Sequence, residues 1–133
     1  MALLTRASTA SVDASTAMFA AQVAGLVAGE NIDACAPCYI KAADGKVYMS
    51  NGTAANAAAK VDGFSAQSCK AGSGVTLLGP GLRMSYGTGL TIAALYYVAA
   101  TAGRLDTAAT TGGLTAVAKA ISATDIVVIA LVP

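Results

Sequence analysis

Histidine is absent from the 133 residues. Its absence removes the usual general base, the usual partner of a nucleophile and the commonest zinc ligand. Tryptophan is also absent and phenylalanine occurs twice, so the 56% hydrophobic content rests largely on alanine. Such a chain predicts a thin core of small side chains, with burial completed by other subunits. Charge is scarce as well, at 11% of residues, against about 25% in ordinary globular domains. Eight Lys and Arg oppose seven Asp and Glu. The basic residues (Arg6, Lys41, Lys46, Lys60, Lys70, Arg83, Arg104, Lys119) stand singly, which argues against the clustered phosphate contacts of a nucleic-acid binder. A near-neutral, charge-poor surface favours association over solubility.

Long hydrophobic runs are missing too. The longest pure one, Ile126 to Val132, has the length of a strand and not of a membrane span. Residues Ala17 to Gly29, followed by Ala34 to Ala36, imitate a signal peptide and its cleavage site. Asp13 ahead of the apolar stretch, Arg6 as the sole positive charge and Gln22 within the stretch speak against cleavage.

The length suits one domain. Residues 1–16, small and polar, are expected to form an extended N-terminal arm, and residues 17–133 a single β-rich domain. Residues 15–29 fit neither the helical nor the strand period. From Cys38 onward the signals are for β-structure. "CYIKA" and "KVYMS" flank Asp44-Gly45, a pair suited to a hairpin turn. "TAANAAA" has too few large side chains to pack and is expected as a loop or one helical turn. "VTLLG", "LRMSY" and "TDIVVIALV" follow as strands between glycine turns, the last of them buried on both faces or paired centrally.

The stretch Leu95 to Ser122 echoes Cys38 to Phe64. Tyr39 to Ala43 lies against Tyr96 to Ala100. With one extra residue in the second turn, Gly45-Lys46-Val47 lies against Gly103-Arg104-Leu105, and the alanine tract ending at Lys60 lies against Ala116 to Lys119. The expected fold is therefore mainly β: a small barrel or sandwich built from two similar hairpin units, with the N-terminal arm.

Candidate chemistry is sparse. "CAPC", Cys35 to Cys38, has the spacing of thioredoxin-like redox sites, which need a thiolate at a helix N-terminus in a βαβ context. Here the motif runs straight into a β-like segment. A zinc site wants four ligands, whereas the chain has three cysteines. Asp33, Asp44, Asp62, Asp106 and Asp125 stand at turn or strand-edge positions, where Asp is favoured locally. The glycine clusters lack a phosphate-loop pattern, and the tyrosines serve as core or interface anchors. No catalytic residue, metal site or cofactor is expected.

The segment "AGENIDACAPCYIKAADGKVYMSNGTAANAAAKVDGFSAQSCKAGSGVTLLGPGLRMSYGTGL" resembles the small capsid decoration, or cement, proteins of tailed bacteriophages. The shared features are "DGKVY", the "NGTAANAAAKVDGF" loop-to-strand and "KAGSGVTL" leading to "YGTGL", with "LYYVAATAGRLDTAATTGG" continuing them. The likeness covers roughly residues 25–132. The chain departs from it in "CAPC", where such proteins tend to carry a plain Gly/Ala turn, and in a longer N-terminal segment. The resemblance implies a structural protein on the outer surface of the virion capsid. There it would clamp neighbouring subunits of the major capsid protein, as a homotrimer or else a dimer, without touching nucleic acid or membrane. The large apolar side chains Leu3, Leu4, Met18, Phe19, Val23 and Leu26 are the candidate contacts with the capsid or with other subunits. The competing expectations are a thiol-dependent redox enzyme using Cys35 and Cys38, and a secreted surface-binding module.

Overall fold

A computed structural model describes residues 22–53, 57–65 and 67–133. Strands dominate them: β1 (Gln22–Val27), β2 (Ala36–Ile40), β3 (Val47–Met49), β4 (Gly63–Ser65), β5 (Gly74–Leu78), β6 (Arg83–Ser85), β7 (Leu95–Val98), β8 (Leu105–Asp106), β9 (Ala118–Ala120) and β10 (Asp125–Val128). The alanine tract contributes one short 3-10 turn, Ala57–Ala59. Among the described residues, no helix is long and apolar enough to cross a membrane.

Every ladder between these strands is antiparallel, and they form two five-stranded sheets. The first has the order β1-β5-β4-β2-β3, the second β6-β10-β9-β7-β8. The second order is the first with every number raised by five. The barrel expected as one alternative does not form among the described residues: neither sheet closes through a ladder. A single parallel bridge, Ala28 with Val47, touches the two edges of the first sheet at one point.

The ladders also reset the internal echo. Ile40 faces Val47 as Val98 faces Leu105, and Tyr39 faces Tyr48 as Tyr97 faces Asp106. Tyr39 therefore corresponds to Tyr97, one position from the match read off the sequence. The two turns then have equal length. Each is closed by an equivalent bond, Lys41 N–H to Lys46 O at 2.9 Å and Ala99 N–H to Arg104 O at 2.9 Å. Gly45 and Gly103 both adopt positive φ there, at 69° and 73°, a conformation glycine takes without a Cβ penalty.

Residues 22–27 settle as a strand because they pair with β5. The register slips between Val23 and Leu26, and Gly25 sits in the slip at φ 81°. A bulge inserts a residue and breaks the alternation of faces, which is why neither period fitted this segment. β10 lies between β6 and β9, as its apolar composition required, with Ile126 and Val128 turned into the core.

The core divides in two. Ala28, Ile32, Ala36, Cys38, Val47, Val75 and Leu77 pack inside the first sheet. Tyr96, Val98, Val117, Ala118, Ala120, Ile126 and Val128 pack inside the second, and Val61 and Phe64 reach this second cluster from the first half of the chain. Alanine and valine supply most of both clusters, in line with the expected thin core. β4 is buried along its whole length, with Phe64 in the second cluster and Gly63 closely backed by Leu77 of the first. The chain terminus adds a further tie, since Val132 and Val61 exchange two backbone hydrogen bonds.

Candidate functional site

Of the six candidate contact residues, Leu3, Leu4, Met18 and Phe19 lie outside the described residues. Val23 and Leu26 both stand on β1, an outer strand of the first sheet, and part company there. Leu26 turns inward and packs against the first core. Val23 is 47% exposed. It borders a mainly apolar cleft of about 320 Å³ together with Leu77, Pro80 and Leu131. Val27 adds a second exposed aliphatic to the same strand.

The cysteine motif lies at the start of β2, and all three thiols are free. Cys35 adopts φ 60°, unusual for a residue with a Cβ. Its N–H donates to Ser65 O at 2.8 Å, and its Sγ lies 3.2 Å from Ser85 O, at the opening of the second half. Cys38 is fully buried, and desolvation pushes its thiol up to about 12. Thiol chemistry needs the thiolate, so this environment works against a redox role for Cys38. Burial raises the Cys35 thiol as well.

The Cys38 environment has a consequence for alkaline stability. The fold favours the protonated thiol, so its contribution is intact below the ordinary value of 9.0 and is lost as pH rises from there towards 12. Urea midpoints should fall above pH 9, and the fall should be smaller in Cys38→Ala. Equal alkaline losses in the two proteins would contradict this.

Four of the five candidate aspartates are engaged in structural bonds. Asp44 accepts the Lys46 N–H at 3.0 Å and the Tyr48 hydroxyl at 2.7 Å, and these bonds hold its carboxyl below the usual range. Asp62 accepts the Ile40 N–H at 2.7 Å, Asp106 the Ala108 N–H at 3.2 Å, and Asp125 pairs with Arg83 Nε at 2.8 Å. Among the described residues, no three acidic or cysteine side chains gather as a metal site would require.

The tyrosines act as anchors. Tyr86 and Tyr96 accept backbone N–H groups of Leu105 and Thr91 through their hydroxyls. Tyr39 and Tyr48 lie side by side with ring centres 6.1 Å apart, and the Lys41 ammonium sits 4.8 Å from the Tyr48 ring centre.

A second cleft, of about 380 Å³, lies where the two sheets meet and is lined by Asp33, Ala34, Cys35, Tyr86, Gly103 and Arg104. Beyond it, the second half exposes Ile92 and Leu95, 67% and 44% accessible, on either side of Ala93, which has φ 69°. Nothing in "TIAAL" signals this turn, because alanine is not a residue that marks positive φ.

Comparison with known protein families, characterised proteins and solved structures finds no match to this chain.

Proposed function

We propose that this chain is a tailed-phage capsid decoration protein, which binds the outer surface of the head and holds neighbouring major capsid protein subunits together. One observation carries the reading most directly. The outer strand β1 presents Val23 and Val27 to solvent beside an apolar cleft, and it directly continues the segment that holds Leu3, Leu4, Met18 and Phe19. An exposed strand edge with flanking apolar side chains is a surface onto which another chain can dock. The resemblance over residues 25–132 and the low charge support the same conclusion. So does the repeated strand order: two similar five-stranded halves suit a clip that meets a shell made of repeated subunits.

The mechanism is binding linkage. A protein that binds only the assembled shell stabilises it by mass action, and many copies on one particle multiply the effect. In this reading the chain acts as a homotrimer, or a dimer, on the virion surface.

Deletion of residues 1–16 provides the test. The truncated protein should keep the circular dichroism of the full chain and lose binding to heads stripped of decoration. Normal decoration by the truncated protein would rule out the arm. Failure of the full chain to bind heads at all would rule out the function.

A further inference from the structure

We infer that a second copy of this chain docks head to tail, by repeating between molecules the junction that joins the two halves within one. The inference rests on the repeated geometry and is independent of the capsid reading.

The repeat is close at the backbone. Cys35 and Ala93, the two non-glycine residues at positive φ among the described residues, are separated by the same number of positions as Gly45 and Gly103. Their N–H groups make equivalent bonds, Cys35 to Ser65 O and Ala93 to Ala120 O, each 2.8 Å. Further in, Asp62 N–H donates to Cys38 O as Val117 N–H donates to Tyr96 O. Each half therefore carries the same left-handed turn ahead of its second strand.

The two turns have different surroundings. The first, Ala34 to Pro37, meets the second half of the chain. Cys35 Sγ reaches Ser85 O, and Ala34 and Cys35 face Tyr86, Gly103 and Arg104 across the junction cleft. Ala36 and Pro37 are fully buried. Gly103 N–H donates to Ser50 O at 2.9 Å, and a Cβ on Gly103 would meet Met49 and Ala36. The second turn, Ile92 to Leu95, leaves Leu95 exposed where its equivalent Pro37 is buried; Ile92 is exposed, as is its equivalent Ala34.

The receiving surface shows the converse asymmetry. By ladder register, Gln22 and Val23 correspond to Arg83 and Met84, so Ala24 stands where Ser85 stands, and Gly25 falls in the slip that follows. Gly45 and Lys46 stand where Gly103 and Arg104 stand. Gly103 is buried, whereas its equivalent Gly45 is exposed, with no atom within 4 Å of where a Cβ would sit; Ser85 and Arg104 are exposed, as are Ala24 and Lys46. Each molecule thus leaves Leu95 of the second turn and the Gly45 turn uncovered, where the equivalents Pro37 and Gly103 are buried. The covered pair between them shows how the two fit. Ile92 and Leu95 of one copy would lie against Ala24, Gly25 and the Gly45-Lys46 turn of the next.

The repeated junction would be weaker than the internal one. Pro37, Phe64 and Leu78 form a row across the first sheet, and the register equivalents are Leu95, Lys119 and Val127. Lysine in place of phenylalanine removes the central apolar contact. Gly45 also uses its N–H on Lys41 O, so the bond made by Gly103 is not reproduced. Association should therefore depend on concentration. Because donor and acceptor surfaces differ, the contact is heterologous and builds rings or chains.

Sedimentation velocity of the full chain over a concentration series tests this. The mass should rise above the 13.0 kDa of one copy. Ile92→Asp should abolish the donor and Ala24→Asp the acceptor, and each variant alone should stay at one copy with unchanged circular dichroism. An equal mixture of the two should form a species of two copies and nothing larger, since one intact donor meets one intact acceptor. A wild-type chain that stays single at every concentration overturns the inference. So does assembly of Ile92→Asp at wild-type strength, or a mixture that remains single.

Discussion

Phe64→Ala is expected to cost about 3–5 kcal/mol of folding stability, as large-to-small changes of a buried phenylalanine do. Phe64 has no solvent exposure, stands at the middle of the short strand β4, and belongs to the cluster inside the opposite sheet. Its neighbours there include Ala118 and Ala120, which have no side-chain freedom with which to fill a hole. The vacated volume should therefore persist, placing the cost toward the upper part of the range. A domain of this size has on the order of 5–15 kcal/mol in total. The loss would appear as a lower urea midpoint with an unchanged slope, and Phe64→Leu should recover most of it. A drop below about 1 kcal/mol would show that the first sheet does not depend on this side chain for its hold on the second core.

The sequence showed local turns well and partner choice poorly. Asp44-Gly45 was legible because two adjacent residues meet the demand of a tight turn, and the structure closes that hairpin between β2 and β3. β10 was legible from its run of β-branched residues. The strand order was not. β4 has three residues and β9 is Ala-Lys-Ala, so neither is long enough to show a period, although Phe64 anchors β4 once it is in place. Both take their place between longer strands through backbone ladders. The bulge at Gly25 hid β1 from both periods. The sequence match set Tyr39 against Tyr96, whereas the ladders put Tyr97 opposite Asp106 as they put Tyr39 opposite Tyr48, a choice that two adjacent tyrosines leave open.

Candidate chemistry followed the same division. Asp44 and Asp125 read as turn and edge residues, and local hydrogen bonds hold them there. "CAPC" invited a redox expectation that depends on exposure and on a helix terminus, neither of which spacing reveals. In the fold, Cys38 is buried in a strand and its thiol is driven away from ionisation. The turn at Ile92 was silent because its positive φ rests on alanine. Val23 and Leu26 were grouped by size alone, and the register at the bulge separates one to solvent and the other to the core.

Gly52→Ala is expected to be the second costly change, and for a steric reason alone, since Gly52 is not among the residues with positive φ. Gly52 is buried where a loop of the first half meets the second sheet. Its N–H donates to Ala99 O at 2.9 Å, and its carbonyl accepts the Gly112 N–H at 3.0 Å. A Cβ there would lie 2.7 Å from Val98 O and also press on Thr110 Oγ1. Neither neighbour can retreat freely, because Thr110 Oγ1 donates to Val98 O at 2.8 Å and accepts the Gly113 N–H at 2.9 Å. Relief requires the loop to move and its two backbone bonds to lengthen. Overpacking of about 1–3 kcal/mol plus the loss of roughly one hydrogen bond gives a cost of about 3 kcal/mol. Gly45→Ala is the matched control. Its φ of 69° carries the left-handed penalty, about 1–2 kcal/mol, but open space surrounds it. Urea unfolding should therefore rank Gly52→Ala as clearly more damaging than Gly45→Ala, although Gly45 has the less tolerant backbone. The reverse order would mean that the contact between the two halves yields easily, and with it the geometry on which head-to-tail docking is built.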